Sequence, residues 1–261
     1  MTQAAIDAVI LAGDRPAGDP LAMTHKVPFK ALVRVGGKPM LAHVAERLAG
    51  NSAIGRILVL AQESKAFQAD RDTEHLAAEP KIKFTESRPT IAASLQAVLT
   101  SEETRFPLLI TTADNVLLSD AMIGSFLARA DGADIAVAVV EREVLMARYP
   151  ASKRTWIKFR GGQYSGANLF YFGSAKAQRA LQAWAEVEQD RKKGWKILTI
   201  FGPWLLFLAV ARLISVDQFA ARVGKKLGLR VSMVKMPQAE ACIDVDKQSD
   251  LDLVEKILAS S

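Results

Sequence analysis

The chain predicts an α/β fold with three layers, α/β/α, built on a mixed, mostly parallel sheet and carrying a basic, apolar insertion at about residues 190–230. Three observations predict it. Short apolar runs alternate with stretches of helical spacing from residue 6 to residue 140, and that order produces right-handed crossovers between parallel strands. Beyond residue 150 the pattern changes to closely spaced short strands, which supplies the antiparallel part. At 261 residues the chain is long enough to bury a full core, and we expect one domain, 1–261, with the insertion set into it.

The elements follow in order. Ile6 to Leu11 is an apolar strand that empties into a loop at Gly13. Pro39 to Leu48 is a helix, with Met40, Leu41, Val44 and Leu48 at helical spacing and Gly50-Asn51 as its stop. Ile57 to Ala61 is a second buried strand. After a polar, helix-like stretch comes a short third strand, Ile82 to Phe84, and Thr90 to Leu99 is a helix that opens after Arg88-Pro89. Pro107 to Thr112 is a fourth strand stopping at Ala113-Asp114, Ser119 caps a helix that runs to about Ala130, and Ile135 to Val140 is a fifth strand. Thr155 to Phe159 and Ala167 to Phe172 pair through a turn at Arg160-Gly161-Gly162, and Leu229 to Met236 is a late strand. Cys242 to Asp246 leads into a closing helix, Ser249 to Leu258, whose Asp250 and Asp252 suit a helix N-terminus.

Composition narrows the classes. Half the residues are apolar and 24% are charged, so the chain is globular rather than disordered. A single cysteine, Cys242, excludes an internal disulfide framework and a cysteine-based zinc site, and fits a reducing compartment. Met1-Thr2-Gln3 lacks the basic start of a signal peptide, and the expected location is cytoplasmic. The net charge of +6 is concentrated: residues 191–230 hold nine Lys/Arg against one acid, Asp217, so the rest of the chain carries −2.

Three groups of residues carry chemistry. In parallel sheets ligands sit beyond the carboxyl ends of the strands, so Gly13, Arg15 and Asp114 gather at one rim. Arg15 and Lys30 are cations suited to phosphates, and Gly13 gives backbone access that a side chain would block; a turn glycine with two solvated cations is the plainer alternative. Neither the G-x-x-x-x-G-K-[ST] nor the G-x-G-x-x-G phosphate loop is present. Asp114, directly after a strand, suits Mg²⁺ or the capping of the following turn. Asp244 and Asp246, two residues apart on an extended segment, point to one side and suit the same ion or the charge compensation of the closing helix.

In this order the three groups resemble the nucleotidyltransferases of the MobA-like superfamily. The family's opening pattern, L-A-G-G-x-G-x-R-x-G…K followed by G-K-P-[ML], stands here as Leu11-Ala12-Gly13-Asp14-Arg15…Lys30 and Gly37-Lys38-Pro39-Met40; its [ST]-x-x-D-x-P stands as Thr111-Thr112-Ala113-Asp114-Asn115. The resemblance implies a Rossmann-like sandwich of the glycosyltransferase-A type and covers about residues 6–140 and 166–255. It implies that the backbone of Leu11, Ala12 and Gly13 contacts a nucleoside triphosphate, that Arg15 and Lys30 bind its phosphates, and that Asp114 is the principal Mg²⁺ ligand, completed by Asp244 or Asp246. It implies too that Ser94 reads the base, and that Gly166 and Asn168 face a small phosphorylated acceptor. The implied reaction is attack of an acceptor phosphate oxygen on the α-phosphorus with release of pyrophosphate, CMP being favoured over GMP as the group transferred. The chain departs from the pattern at Asp14 in place of the second glycine, at Asn115 in place of proline, and in a longer loop to Lys30.

The insertion holds the most hydrophobic run of the chain, Ile197 to Ile214, eighteen residues interrupted by Gly202-Pro203 and ending near Arg212. Trp195 and Trp204, flanked by Lys192, Lys193, Lys196, Lys225 and Lys226, suit an anionic membrane interface on the inner face of the membrane. Burial, a homodimer contact and a short span are the alternatives. Nucleic acid is not an expected partner, because the aromatics sit within the apolar run rather than between the cations. A glycosyltransferase using a nucleotide-sugar, and a non-catalytic membrane-associated nucleotide-binding protein, are the other function classes.

Overall fold

A computed structural model describes residues 5–14, 18–188 and 202–260. The chain forms two compact units, Met1–Arg88 with Leu108–Gly124 and Ile243–Ser261, and Pro89–Pro107 with Ser125–Cys242.

The first unit contains β1 (Ile6–Leu11), β2 (Arg34–Val35), β3 (Lys38–Pro39), β4 (Ile54–Ala61), β5 (Ile82–Glu86) and β6 (Leu108–Thr112). β1 is central, parallel to β4 on one side and β6 on the other, and β5 is parallel to β4. Continuous apolar runs such as Ala8-Val9-Ile10, all fully buried, are what a parallel strand covered on both faces needs. β4 begins at Ile54, earlier than its apolar run, because the Arg56 amide donates to the Asp7 carboxylate at 3.0 Å and its guanidinium pairs with the same group at 2.9 Å. The pair also explains how an acid is tolerated inside β1. Helix Met40–Gly50 buries Met40, Leu41, Val44, Ala45 and Leu48 on one face, the four larger side chains contributing about 1.5–3 kcal/mol each. Helix Pro20–His25 and the hairpin of β2 and β3 go beyond the sequence expectations, and the helix-like stretch before β5 resolves into two helices. Helix Pro20–His25, capped by Asp19, lies inside the long opening loop. The polar stretch before β5 folds as helices Ser64–Ala69 and Glu74–Ala77. β2 and β3 form a hairpin whose turn, Gly36-Gly37, has positive φ at both residues, a conformation for which two glycines are a legible signal.

The second unit contains β7 (Ile135–Glu141), β8 (Ile157–Phe159), β9 (Gly162–Phe172) and β10 (Val231–Lys235). β9 is antiparallel to both β7 and β8, and β10 is parallel to β7, so the chain is α/β with mixed, mostly parallel pairing. β9 starts at Gly162 rather than Ala167 because β7 and β8 pair with it on either side of that stretch. Asp134 ties the entry of β7 to its surroundings: it accepts from the Arg230 amide at 2.8 Å and the Ser174 hydroxyl at 2.9 Å. Helix Ile91–Leu99 is capped by Thr90, and helices Arg142–Arg148, Gln178–Glu188, Pro203–Val210 and Val216–Leu227 complete the unit. Among the described residues no helix is long and apolar enough to cross a membrane. The first part of the apolar run, Ile197 to Phe201, and Trp195 with Lys192, Lys193 and Lys196 lie outside the described residues.

Candidate active site

Strand register builds the site. Leu11 pairs with Leu60 and with Thr112, so the segments leaving β1, β4 and β6 emerge together at the carboxyl edge of the parallel strands. The Ala12 amide donates to the Leu60 carbonyl at 2.9 Å and the Ala113 amide to the Leu11 carbonyl at 3.0 Å, carrying the ladder one residue past each strand. Gln62, the residue after β4, then clamps the opening loop: its Oε1 accepts from the Asp14 amide at 2.7 Å and its Nε2 donates to the Asp14 carbonyl at 3.1 Å. A Cβ on Gly13 would lie 3.1 Å from that Oε1, so glycine lets the amide approach. Ala12 and Asp14 thus spend their amides inside the protein. Gly13 is the residue between them whose N–H has no partner among the described residues, and it is exposed.

Asp14, the departure from the family pattern, turns toward the chain. Its carboxylate accepts from the Lys30 amide at 2.9 and 3.2 Å, and burial pushes its carboxyl above the usual carboxylate range, with that amide partly offsetting the rise. The contact fixes the far end of the loop, where Lys30 opens a single 3₁₀ turn, Lys30–Leu32. The Lys30 ammonium reaches Asp114 Oδ2 and Asp246 Oδ1, both at 2.6 Å. Burial works to lower its pKa, but the two carboxylates overcome that and hold it above the ordinary lysine range.

Asp114 is oriented from its own side too. The Thr112 hydroxyl donates to its Oδ1, and its carbonyl accepts from the Val245 amide at 3.2 Å, which draws the late segment to the rim. Asn115, buried, donates to the Thr111 hydroxyl at 3.1 Å and closes the turn where the family pattern has proline. The result is a cluster in which carboxylate oxygens of Asp114, Asp244 and Asp246 lie within 4.8 Å of one another. Among the described residues the cluster offers an acidic, oxygen-only donor set, the chemistry that suits a small hard divalent cation such as Mg²⁺.

Of the residues singled out in the sequence, Leu11, Ala12, Gly13, Lys30, Asp114, Asp244 and Asp246 all belong to the first unit. Arg15 lies outside the described residues. Ser94, Gly166 and Asn168 belong to the second unit. Ser94 is buried on helix Ile91–Leu99 and donates to the Thr90 carbonyl at 2.9 Å; Gly166 pairs with Val139 within β9, and Asn168 follows two residues on. Gln62 and Thr112 were not singled out. Both sit at strand carboxyl ends, so the rim rule that found Asp114 could have found them.

A family model, the MobA-like NTP transferase domain, matches residues 8–203. The chain belongs to the MobA-like NTP transferase family. As a member it is an enzyme of the nucleotidyltransferase class. Solved structures agree on the fold. A hypothetical transferase from Thermus thermophilus is 25% identical over 95% of this chain and 99% of its own, with a TM-score of 0.77. The 4-diphosphocytidyl-2C-methyl-D-erythritol synthase of Anaerococcus prevotii is 12% identical over 98% of this chain and 96% of its own, with a TM-score of 0.61. A CMP:2-keto-3-deoxy-manno-octonic acid synthetase complexed with CTP is 14% identical over 99% of both chains, with a TM-score of 0.57. No curated protein matches the sequence of this transferase.

Proposed function

We propose that this transferase moves a nucleoside monophosphate, CMP in preference to GMP, from the triphosphate to a small phosphorylated acceptor, with Mg²⁺ held by Asp114 together with Asp244 and Asp246. The observation that carries the reading is the meeting of those three carboxylates with Lys30 at the carboxyl edge of the parallel strands. Bound there by Asp114, Asp244 and Asp246, Mg²⁺ would act as a Lewis acid and offset charge developing in phosphoryl transfer. The chain's own groups do the rest. Lys30 and Arg15 neutralise the triphosphate, the Gly13 amide donates to a phosphate oxygen, and Gln62 holds that amide in place. The acceptor's phosphate is already ionised at neutral pH, so it attacks the α-phosphorus without a general base; the new P–O bond forms as the bond to the bridging oxygen breaks, and pyrophosphate leaves. Ser94 reads the base and Gly166 and Asn168 meet the acceptor in this reading. Cytidine is supported by the names of two fold neighbours, a diphosphocytidyl synthase and a synthetase complexed with CTP. The same reading has the enzyme serving lipid or membrane-associated metabolism, peripheral to an anionic membrane through residues 191–230, with a homodimer as the other use of the apolar run.

The test is thermal stabilisation by CTP, GTP, ATP and UTP, with and without Mg²⁺, in the intact chain and in Asp114→Ala. A ligand at a hundredfold its Kd adds about 2.7 kcal/mol. We expect CTP with Mg²⁺ to stabilise the intact chain and not the variant. Equal stabilisation of both would remove Asp114 from the site, and stabilisation by nucleotide-sugars alone would overturn the donor.

A further inference from the structure

Helix Pro203–Val210, Pro-Trp-Leu-Leu-Phe-Leu-Ala-Val, is apolar on every side, yet only one stripe of it is covered. Leu205 and Leu208 are buried with Ile214 and pack with Ala209, Phe219 and Val223. On the other side Trp204, Phe207 and Val210 are 68%, 54% and 82% exposed, and Leu213 just beyond the helix is 50% exposed. Their spacing of three sets them along one face, and the Trp204 and Phe207 rings stack with centroids 5.5 Å apart. A helix that is apolar all round belongs in a core or in lipid, and a contiguous exposed apolar patch marks an interaction surface.

Cations frame this face. The helix closes in a Schellman turn, the Arg212 amide donating to the Ala209 carbonyl and the Leu213 amide to the Leu208 carbonyl, with Arg212 in the left-handed region at φ 57°. Glycine is the usual residue there; here it is arginine, exposed at the C-terminal end of the helix. At the N-terminal end, a Cβ on Gly202 would lie 3.7 Å from the Lys226 ammonium. Arg222 and Lys225, on the same helix as Lys226, are exposed.

We propose that Trp204, Phe207, Val210 and Leu213 seat on an anionic lipid surface, the apolar groups entering the interface while Arg212, Lys225 and Lys226 meet lipid phosphates. This rests on the peripheral reading above and names the face that performs it. Charge favours lipid over a second copy of the chain, because a symmetric pairing would set the basic rim against itself. Tryptophan beside lysine at an apolar edge is the composition of interfacial segments.

The test mixes the intact chain, Trp204→Ser/Phe207→Ser and Lys225→Gln/Lys226→Gln with phosphatidylcholine vesicles and with vesicles holding about 30% phosphatidylglycerol. The intact chain is expected to sediment with the anionic vesicles only, about tenfold less well in either variant, and less as salt screens the charges. All substituted residues are exposed, and thermal melts check that each variant folds. CTP-dependent stabilisation, measured in parallel without lipid, tests the transferase reading separately. An intact chain that stays in the supernatant, or a Trp204→Ser/Phe207→Ser variant that sediments unchanged, overturns the proposal. So does a dimer that this variant turns into a monomer, which would assign the face to a second copy.

Discussion

At Lys30 burial and charge pull in opposite directions, and charge prevails because two carboxylates lie 2.6 Å from the ammonium. The two carboxylates therefore favour the cationic form of the lysine, and in the proposed reaction it neutralises charge rather than transferring a proton. Lys30→Met would leave the carboxylates facing one another. We expect it to lower stability by about 2 kcal/mol, the scale of a lost charged hydrogen bond, and Mg²⁺ to recover part of that loss; urea denaturation with and without the ion reads both. Asp134 makes a contrasting case. Backbone and hydroxyl donors from Arg230 and Ser174 hold its carboxyl below the usual range although burial opposes them. A depressed carboxylate contributes stability that is fully present above its unfolded value of about 3.9 and is lost as pH falls through the folded one. Asp134→Asn is accordingly expected to cost about 1–3 kcal/mol at neutral pH, and the gap from the intact chain should narrow in urea titrations run below pH 4. A gap that persisted unchanged in acid would mean that the charge contributes nothing.

At the scale of elements, covered faces decide stability. Helix Met40–Gly50 presents Leu48 with no exposure at all, and truncation to alanine removes both its transfer energy and its packing. Leu48→Ala is expected to cost about 2–5 kcal/mol in denaturant-measured stability, with nucleotide binding retained at temperatures where the variant stays folded. Helix Pro203–Val210 obeys a different rule, because half of its apolar surface faces outward and substitutions there should leave stability nearly unchanged. Helix Val216–Leu227, which the sequence expectations did not include, nonetheless carries local signals at both ends. Ser215 and Gln218 form a capping box, Oγ accepting at 3.2 Å and Oε1 at 3.1 Å, and Gly228 ends the helix with positive φ. Those are one-dimensional signals, whereas the uncovered side of an all-apolar helix has no sequence signature.

At the scale of the molecule, charge is partitioned along the chain. The acidic cluster stands in the first unit, while residues 191–230 carry nine cations and one acid. The sequence alone determined the alternation of strands and helices, the strands β1, β4, β5 and β6 of the first unit, and Asp114 at the end of β6, because continuous apolar runs and residues at strand ends are local features. It also determined the family, through Leu11-Ala12-Gly13, Lys30 and Asp114 in that order. Only the tertiary structure decided which groups meet. Lys30 finds Asp114 and Asp246 at 84 and 216 residues' distance along the chain, Gln62 clamps a loop 48 residues away, and Asp14 turns to the Lys30 amide rather than outward. Such meetings follow from strand order and register, which bring distant segments to one edge, and no local preference for helix, strand or turn encodes them.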